Sequence, residues 1–316
     1  MEEKIIPEIK KQDSVTLAFG GDIMLDRGVR NSVVKNLNND YSLLFKNSEE
    51  IENILKNSDI SFANLEGTAS DKGTDKKNLY SFRMDPIIIP VLKEAGLDIL
   101  SLANNHVADW GREAYIDTMS RLKENRIFYT GGGLNKKEAE APIIFEKNGM
   151  KIGFLGFSDK GPDYMRAKNA TENTPEQAGV IIARDDEFDT TIKNAAKQVD
   201  YLIVSFHFGE EYQDVHDKRQ EYLAHKAVDD GAKIVIGHHP HVIEDTEIYK
   251  NSYIAYSLGN FIFDQSWSEP TMKGMLLQIK LNKDGSMDTV KNITQLNSFF
   301  QLSGITEKQE EKVLNN

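Results

Sequence analysis

A short apolar run that ends in charged residues decides the fold class: residues 15–27 have the sequence VTLAFGGDIMLDR. Val15–Phe19 has the length and the β-branched and aromatic side chains that are typical of a buried strand, and Asp22 follows it after a glycine pair. The same arrangement recurs along the chain, at Ile60–Ala63, Ile99–Ala103, Tyr201–Phe206, Ile234–Ile236 and Ile254–Leu258. We therefore predict six buried strands, each followed by a cluster of Asp, Glu, Asn or His.

Amphipathic segments between these strands indicate an α/β protein. Apolar residues at helical spacing predict helices over Leu43–Asn57, Pro90–Ala95, Glu113–Asn125 and Asp217–Asp230. Gly96 and Gly231 are the expected stops of the second and fourth helices. Further strands are expected at Ile152–Phe157 and Met275–Leu281, and a hairpin turn over 283–286 follows the latter.

One large domain is expected over residues 14–300, although a length of 316 residues would also allow two domains. Residues 1–13 are charged and aperiodic, which indicates an N-terminal arm. Residues 301–316 are interpreted as a C-terminal tail that contains a frayed helix. Residues 158–187 are weakly periodic and polar, which indicates a surface excursion that serves as a lid or recognition loop.

Composition excludes several classes of protein. The chain has 38 basic and 50 acidic side chains, and the resulting net charge of −12 disfavours binding to nucleic acid or anionic lipid. The absence of cysteine excludes a disulfide scaffold, a thiolate metal site and a cysteine nucleophile. No run of 18 apolar residues is present, so no membrane-spanning helix is expected.

The polar clusters predict a metal site. If the six strands share one sheet, their carboxyl ends converge on one cleft, which is where α/β proteins bind ligands. Five of the seven histidines lie in these clusters, beside carboxylates and asparagines. Oxygen and imidazole donors without sulfur suit Mn²⁺, Zn²⁺, Fe or Mg²⁺ at a hydrolytic site with one or two cations.

The motifs, taken in series, resemble the CapA family of bacterial capsule and poly-γ-glutamate biosynthesis proteins. The matching segments span about residues 15–264 and lie in the same order: GGDIM at 20–24, NLE at 64–66, LANNH with DWG at 102–111, HFGEEY at 207–212, GHHPHV at 237–242 and SLGNF at 257–261. This family is similar to the calcineurin-like metallophosphoesterases. The resemblance implies a four-layer α-β-β-α sandwich with two packed mixed sheets.

The resemblance also implies a role for each matching residue. The expected ligands of a divalent cation are Asp22, Glu66, Asn105, His207, His239 and His241. His106 is the expected catalytic acid, and Asp109 is expected to orient it or to cap the following helix. The residues expected to contact substrate are Arg27, Arg83, Asn104, His238 and Asn260.

Alternative interpretations accompany several of these residues. Arg27 and Arg83 can hold an anionic oxygen or form ordinary salt bridges. Asn104 and Asn260 can be turn residues, and His238 is a third candidate for the histidine ligands of its segment. Met24 stands where the related phosphoesterases have a histidine, which puts the number of bound cations in doubt.

Two functions follow from the resemblance. The first is a metal-dependent hydrolase of the phosphoesterase type that serves synthesis or export of an anionic envelope polymer, poly-γ-glutamate or another. The second is a non-catalytic accessory subunit that binds the polymer in a degenerate phosphoesterase cleft. The implied partners are that polymer and other capsule-synthesis membrane proteins. The implied location is the extracytoplasmic face of the membrane if an N-terminal anchor has been trimmed, and otherwise the protein is expected to be soluble.

Overall fold

The computed structural model describes residues 13–183 and 188–315. The helices of these residues are α1 (Arg27–Asn36), α2 (Glu49–Asn57), α3 (Ile88–Glu94), α4 (Gly111–Glu124), α5 (Lys136–Ala139), α6 (Phe188–Ala196) and α7 (Lys218–Asp229). The strands are β1 (Ser14–Ile23), β2 (Ile60–Leu65), β3 (Thr68–Ala69), β4 (Arg83–Met84), β5 (Ile99–Ser101), β6 (Phe128–Thr130), β7 (Gly132–Gly133), β8 (Ile143–Lys147), β9 (Met150–Ser158), β10 (Gly179–Val180), β11 (Tyr201–His207), β12 (Ala232–His238), β13 (Thr246–Tyr249), β14 (Ser252–Ala255), β15 (Asn260–Ile262), β16 (Lys273–Asn282), β17 (Met287–Leu296) and β18 (Leu302–Val313).

Two mixed sheets form the centre of the fold. The first has the strand order β18-β17-β16-β1-β2-β5-β6, and β15 pairs with β1 beyond the end of β16. The second has the order β13-β14-β12-β11-β9-β8, with four parallel strands between two antiparallel edges. Each of the six predicted strands lies in one of these sheets or, for Ile254–Leu258, begins in one.

Three apolar layers hold the sheets and helices together. The middle layer lies between the sheets, where Phe19 and Phe62 of the first sheet pack with Phe154 and Ile236 of the second. A second layer joins the outer face of the first sheet to α1, α2, α3 and α4. A third joins the outer face of the second sheet to α6 and α7. The α-β-β-α sandwich expected from the resemblance is therefore confirmed.

Local sequence signals set the helix ends. The carboxylate of Asp217 accepts hydrogen bonds from the first turn of α7, and Gln220 completes a capping box. Gly96 and Gly231 follow α3 and α7 with φ of +103° and +115°, a backbone conformation that favours glycine. The predicted helix over 43–57 is divided, because the side chain of Ser48 caps a new helix, α2.

The C-terminal prediction is wrong. Residues 302–313 form β18, a twelve-residue edge strand that pairs antiparallel with β17. Leu302 and Val313 at its two ends are buried, while half of the residues between them are charged. Charged side chains are common on exposed edge strands, where they discourage pairing with other chains. A run of charged and polar residues therefore does not distinguish an exposed edge strand from a C-terminal tail.

The predicted excursion is partly built into the fold. Val180 pairs in the small sheet β7–β10, and Met165 and Ile182 are buried in the layer beside the first sheet. Residues 184–187 of the excursion and residues 1–12 of the predicted arm lie outside the described residues. Among the described helices, none has the length and apolar character needed to cross a bilayer.

Candidate metal centre

Strand ends from both sheets converge on one buried cluster. Asp22 lies near the end of β1, Glu66 follows β2, and Asn105 follows β5, all in the first sheet. His207 ends β11, and His241 lies just beyond β12, in the second sheet. The strands are thus divided between two sheets instead of sharing one. Their carboxyl ends nevertheless meet across the sandwich, so the expected cleft is present.

Glycines allow the backbones to approach this closely. A Cβ on Gly21 would lie 1.9 Å from the carbonyl oxygen of Gly259. A Cβ on Gly237 would lie 1.8 Å from the carbonyl oxygen of Tyr256. Neither distance is compatible with a side chain, so these glycines are needed where β1 and β12 deliver their polar residues.

Asp22 is fully buried at the centre of the cluster. Its carboxylate accepts hydrogen bonds from the side chain of Asn64 at 2.8 Å and from the backbone N–H of His239 at 3.2 Å. The Nδ1 atoms of His238 and His241 lie 3.2 and 3.5 Å from its oxygens. The His238 contact is within ion-pair range but lacks hydrogen-bond geometry, since both ring nitrogens of His238 have no hydrogen-bond partner among the described residues.

Glu66 has the most unusual surroundings of the cluster. Its side chain is fully buried, and neither carboxylate oxygen has a hydrogen-bond partner among the described residues. The Nε2 atoms of His241 and His106 lie 3.7 and 3.8 Å from Oε1, which is too far for a hydrogen bond. A buried carboxylate without donors is costly, so its oxygens are suited to a cation.

The histidine segment after β12 has a strained backbone. His239 and His241 have φ of +102° and +60°, which non-glycine residues rarely adopt. These conformations turn both rings toward the cluster: the ring of His239 lies 4.7 Å from that of His207, and Nδ1 of His241 is 3.0 Å from Oδ1 of Asn260. Such strain is typical of functional sites.

Side-chain amides link the candidate ligands to one another and to the first sheet. Oδ1 of Asn105 lies 2.8 Å from Nε2 of His207, so the two predicted ligands already contact each other. Asn104 donates to the side chain of Asn64 at 3.2 Å and to the carbonyl of Leu65 at 2.9 Å. Asn64 was not among the predicted site residues, although it precedes Glu66 by two positions in the NLE motif, on the same side of the strand.

His106 and Asp109 form a pair beside the cluster. Nδ1 of His106 is 2.7 Å from the Asp109 carboxylate, which also accepts hydrogen bonds from the side chain of Asn78 and the backbone N–H of Phe82. The ring of Phe82 stacks on His106 at 3.9 Å. With Nδ1 engaged by Asp109, Nε2 is the nitrogen that faces Glu66 and the solvent.

Protonation in the cluster is governed by burial and by the density of carboxylates. Burial raises the pKa of Glu66 well above its usual range, and the nearby Asp22 adds to the effect. Burial also acts to raise the pKa of Asp22, but contacts with His238 and His241 outweigh it and hold that pKa low. Although burial opposes it, the carboxylates of Glu66 and Asp22 raise the pKa of His241 to about 9. Burial lowers the pKa of His207 and His239, which favours their neutral, metal-binding form.

The donors fit a divalent cation. Asp22, Glu66 and His207 offer ligand atoms that lie within 4.8 Å of one another, and so do Glu211, His239 and His241. The unpartnered oxygens of Glu66 and the unpartnered Nδ1 of His239 are available to complete such sites. Two adjacent cations are compatible with this division. Glu211 was missed by sequence reasoning, although it lies in the HFGEEY motif.

A cavity of about 330 Å³ opens beside the cluster. Its lining includes the largely buried His106 and His241 and the exposed side chains of Glu211, Tyr80 and Trp267. Arg27 also lines it, but its guanidinium donates two hydrogen bonds to the Asp264 carboxylate and packs against Phe82. The positive charge of Arg27 is therefore already balanced.

Four predicted substrate contacts have a different placement from the one expected. Asn104, His238 and Asn260 are fully buried and lie behind the candidate ligands, outside the cavity. Arg83 lines a separate cavity, where its guanidinium stacks on Trp110 at 3.6 Å. Met24 is buried against Phe82 and Phe263, so its thioether packs in a small apolar cluster.

Comparison with known proteins assigns the chain to a family. Residues 16–265 match the sequence profile described as bacterial capsule synthesis protein PGA_cap. The capsule biosynthesis protein CapA of Bacillus anthracis is 34% identical over 88% of this chain, which spans 66% of that protein's length. The PGA biosynthesis protein CapA of Bacillus subtilis is also 34% identical, over 89% of this chain and 72% of its own length.

A crystal structure described as a novel phosphatase from Mycoplasma pneumoniae superposes with a TM-score of 0.46 at 16% identity, over 95% of this chain and 93% of its own. That likeness is too weak to bear on function. The profile match covers most of the chain, and it includes every predicted metal ligand. The chain belongs to the bacterial capsule synthesis protein family.

Proposed function

We propose that this chain is a metal-dependent hydrolase of the phosphoesterase type that acts in synthesis or export of an anionic envelope polymer. The observation that carries the proposal is the carboxylate of Glu66, which is fully buried with both oxygens unpartnered among the described residues. The Glu66 carboxylate lies between the rings of His241, which is a candidate ligand, and His106, which is paired with Asp109. A cation at Glu66 would therefore lie next to a candidate proton donor.

The residues that would hold the cation are Asp22, Glu66, Asn105, His207, Glu211, His239 and His241. When bound there, a divalent cation supplies Lewis acidity, which polarises an ester oxygen and makes a water more acidic. His106 donates a proton from Nε2 to the leaving oxygen, because Asp109 holds Nδ1 and stabilises the charged ring. Phe82 fixes the plane of the His106 ring by stacking on it and shields one face from water.

The role in polymer synthesis is supported by the relatives. Two of them are named for capsule and PGA biosynthesis, and a third, from Mycobacterium tuberculosis, is named a probable polyglutamine synthesis accessory protein and is 25% identical over 80% of this chain. We propose poly-γ-glutamate or another anionic envelope polymer as the ligand, and other capsule-synthesis membrane proteins as partners at the outer face of the membrane. The acidic cluster would repel such a polymer unless a cation offsets its charge.

Metal analysis and ester hydrolysis test the proposal. The purified chain is expected to retain Mn²⁺, Zn²⁺, Fe or Mg²⁺ after dialysis and to hydrolyse a chromogenic phosphomonoester or phosphodiester. His207→Ala is expected to lose both metal and turnover, whereas His106→Ala keeps the metal and loses about 10²–10⁴-fold in kcat.

His225→Ala is the matched control, because His225 pairs with Glu247 and stacks on Tyr249 away from the cluster. It is expected to behave like the unchanged protein in both measurements. A protein that binds no metal, or one whose turnover survives His207→Ala, would contradict the proposal.

The second candidate function is a non-catalytic subunit that binds the polymer. It is favoured by Met24, whose buried thioether occupies the position of a histidine ligand in related phosphoesterases and offers no hard donor to a cation. A protein that binds metal and polymer but leaves every ester intact would support this function. In that case His106→Ala would change neither measurement.

A further inference from the structure

A second cavity lies beside the candidate metal centre and is lined by three arginines. It has a volume of about 370 Å³, and its lining includes Arg30, Arg83 and Arg121. The lining also includes the carboxylates of Asp71 and Asp85, so the anion-binding capacity of the cavity depends on which arginines are already paired. The volume is several times that of one water molecule, so the cavity can admit a carboxylate or phosphate group.

Two of these arginines have donors to spare. The guanidinium of Arg83 stacks on the ring of Trp110 at 3.6 Å, and among the described residues it donates no hydrogen bond and forms no ion pair. The guanidinium of Arg30 lies 3.9 Å from carboxylate oxygens of Asp26 and Asp85, which is beyond hydrogen-bond distance. Each guanidinium carries five N–H donors in a planar fork that matches a carboxylate or phosphate.

The stacking holds Arg83 ready for an anion. A guanidinium on an indole face keeps its N–H groups at the edge of the stack, pointing away from the ring. Less conformational freedom is then lost when an anion binds, because the side chain is already held in place. Arg121 differs, since it already donates to Asp117 and Asp71 at 2.7 Å.

Carboxylates lie near Arg30 and Arg121 but leave the guanidinium of Arg83 without an ion-pair partner among the described residues. Asp71 and Asp85 are the carboxylates in the lining, and both are largely exposed, at 69% and 40% of the side chain. Asp71 is engaged by Arg121, so Asp85 is the lining carboxylate nearest to the unengaged donors. With Asp26 and Asp117 included, four carboxylates lie near Arg30 and Arg121, and Arg83 is the arginine of the lining whose guanidinium has no carboxylate partner among the described residues.

The arginine cavity and the cavity beside the candidate metal centre are lined by neighbouring residues. Phe82 stacks on His106 and lines the metal-side cavity, while its neighbour Arg83 lines the arginine cavity. Trp110, which carries the Arg83 guanidinium, directly follows Asp109 of the proposed acid pair. Phe82 and Arg83 are consecutive, so the two cavities lie next to each other along this segment.

We propose that the arginine cavity binds an anionic oxygen group, a carboxylate or phosphate, of a ligand whose reacting part lies at the metal centre. This inference rests on the proposed function, since it assigns a second contact to the same ligand. A polymer with regularly spaced carboxylates supplies such a second group. A free phosphate has the same chemistry, so the two sources must be separated by experiment.

Calorimetric titration of the Mn²⁺-loaded protein at low salt tests the proposal, with poly-γ-glutamate of defined length in one arm and inorganic phosphate in the other. Arg30→Gln and Arg83→Gln are each expected to weaken binding about tenfold, because a hydrogen bond to a charged group is typically worth at least that factor. The double variant is expected to lose about a hundredfold. Arg83→Lys keeps the charge but not the planar fork, and it is expected to resemble Arg83→Gln.

The matched control is the double variant Lys123→Gln, Arg126→Gln, which removes two positive charges around a separate cavity. Loss of affinity for the polymer, for phosphate, or for both in the arginine variants alone supports the proposal and identifies the source of the anion. It is overturned if the control loses as much affinity, if the arginine variants lose none, or if the unchanged protein binds neither probe.

Metal content and hydrolysis of a small chromogenic ester are measured on the same samples. Arg30 and Arg83 lie outside the candidate donor set, so metal content is expected to be unchanged in the arginine variants. Turnover is compared between the unchanged protein and the Lys123→Gln, Arg126→Gln control, where it is expected to be the same. If the proposed function is wrong, these two measurements on the unchanged protein will show missing metal or missing turnover. Failure of the anion subsite would appear only in the titrations.

Discussion

Replacing Glu66 by glutamine is expected to stabilise the metal-free protein and to abolish its stabilisation by metal. The side chain is fully buried, neither oxygen has a hydrogen-bond partner among the described residues, and burial raises its pKa well above the usual range. The surroundings thus disfavour the carboxylate form when no cation is present. Glutamine keeps the shape of the side chain and removes the charge, so it relieves this cost but cannot serve as an anionic ligand.

The size of the effect follows from the buried group. The glutamine amide is still a buried polar group, so the gain is limited to the additional cost of burying a charge, about 1–3 kcal/mol. For a domain of this length, 1 kcal/mol corresponds to about 1.5 °C in Tm, so Glu66→Gln is expected to raise the Tm of the metal-free protein by about 2–5 °C. Metal at about a hundred times its Kd adds about 2.7 kcal/mol to the unchanged protein, or about 4 °C, and is expected to add nothing to the variant.

The pH dependence of the Tm provides a second, independent test of this prediction. Because the folded-state pKa of Glu66 lies above its unfolded value, folding takes up a proton and the metal-free protein loses stability as pH rises above about 4.5. The Tm difference between Glu66→Gln and the unchanged protein should therefore be small near pH 4 and grow toward pH 7.

The assay is thermal denaturation with EDTA and with excess Mn²⁺. The control is Glu244→Gln, another buried glutamate with an unpartnered oxygen and a pKa raised by burial to about 8. This variant lies outside the donor set and should keep the full metal-induced rise. The reasoning is refuted if Glu66→Gln lowers the Tm of the metal-free protein, or if Mn²⁺ still raises the Tm of the variant.

Further predictions concern the protonation of the site, the C-terminal strand and a glycine contact. His241 has a pKa of about 9 in the metal-free protein and must lose its proton to bind metal, so the Kd for Mn²⁺ measured by titration should fall about tenfold per pH unit from pH 7 to 9. Ending the chain at residue 300 removes the burial of Leu302 and Val313, about 3–6 kcal/mol, and should lower the Tm by more than about 5 °C or leave the protein insoluble. Gly237→Ala should reduce soluble expression far more than Gly20→Ala, whose Cβ would lie 3.2 Å from the Phe261 ring.

Much of the fold was predictable because the buried strands carry a strong local signal. Val15–Phe19 and Tyr201–Phe206 are continuous apolar runs, which parallel strands with both faces covered require. The division of these strands between two sheets was not predictable from the runs themselves, since a buried strand has the same composition in either sheet. The edge strand β18 was missed for the opposite reason: its exposed residues are charged, and only Leu302 and Val313 mark its ends.

The candidate site was predictable where polar residues end apolar strands. Their place at the ends of apolar strands indicated that four residues are buried together, and the structure buries all four: Asp22, Glu66, His207 and His241. Sequence could not separate residues that face the cavity from residues that support them, because both occur in the same motifs. Asn104 and Asn260 are buried and hold other site residues, whereas Glu211 faces the cavity and was overlooked. How deeply a side chain lies in the cluster depends on the conformation of the loop that carries it, for example on the positive φ of His239.

Two kinds of cost coincide at this site, and a cation would offset both. Arg27, Tyr212, His239 and His241 all have positive φ around the cluster and its cavity, and each such conformation costs about 1–3 kcal/mol. The unpartnered carboxylate of Glu66 adds the cost of a buried charge or of the proton that neutralises it. A fold selected for stability alone would keep neither feature, since glycines at these four positions and an apolar side chain at 66 would remove them. The strained loop brings imidazoles to Glu66, whose buried carboxylate lacks hydrogen-bond donors among the described residues, and a divalent cation bound by both would offset both costs.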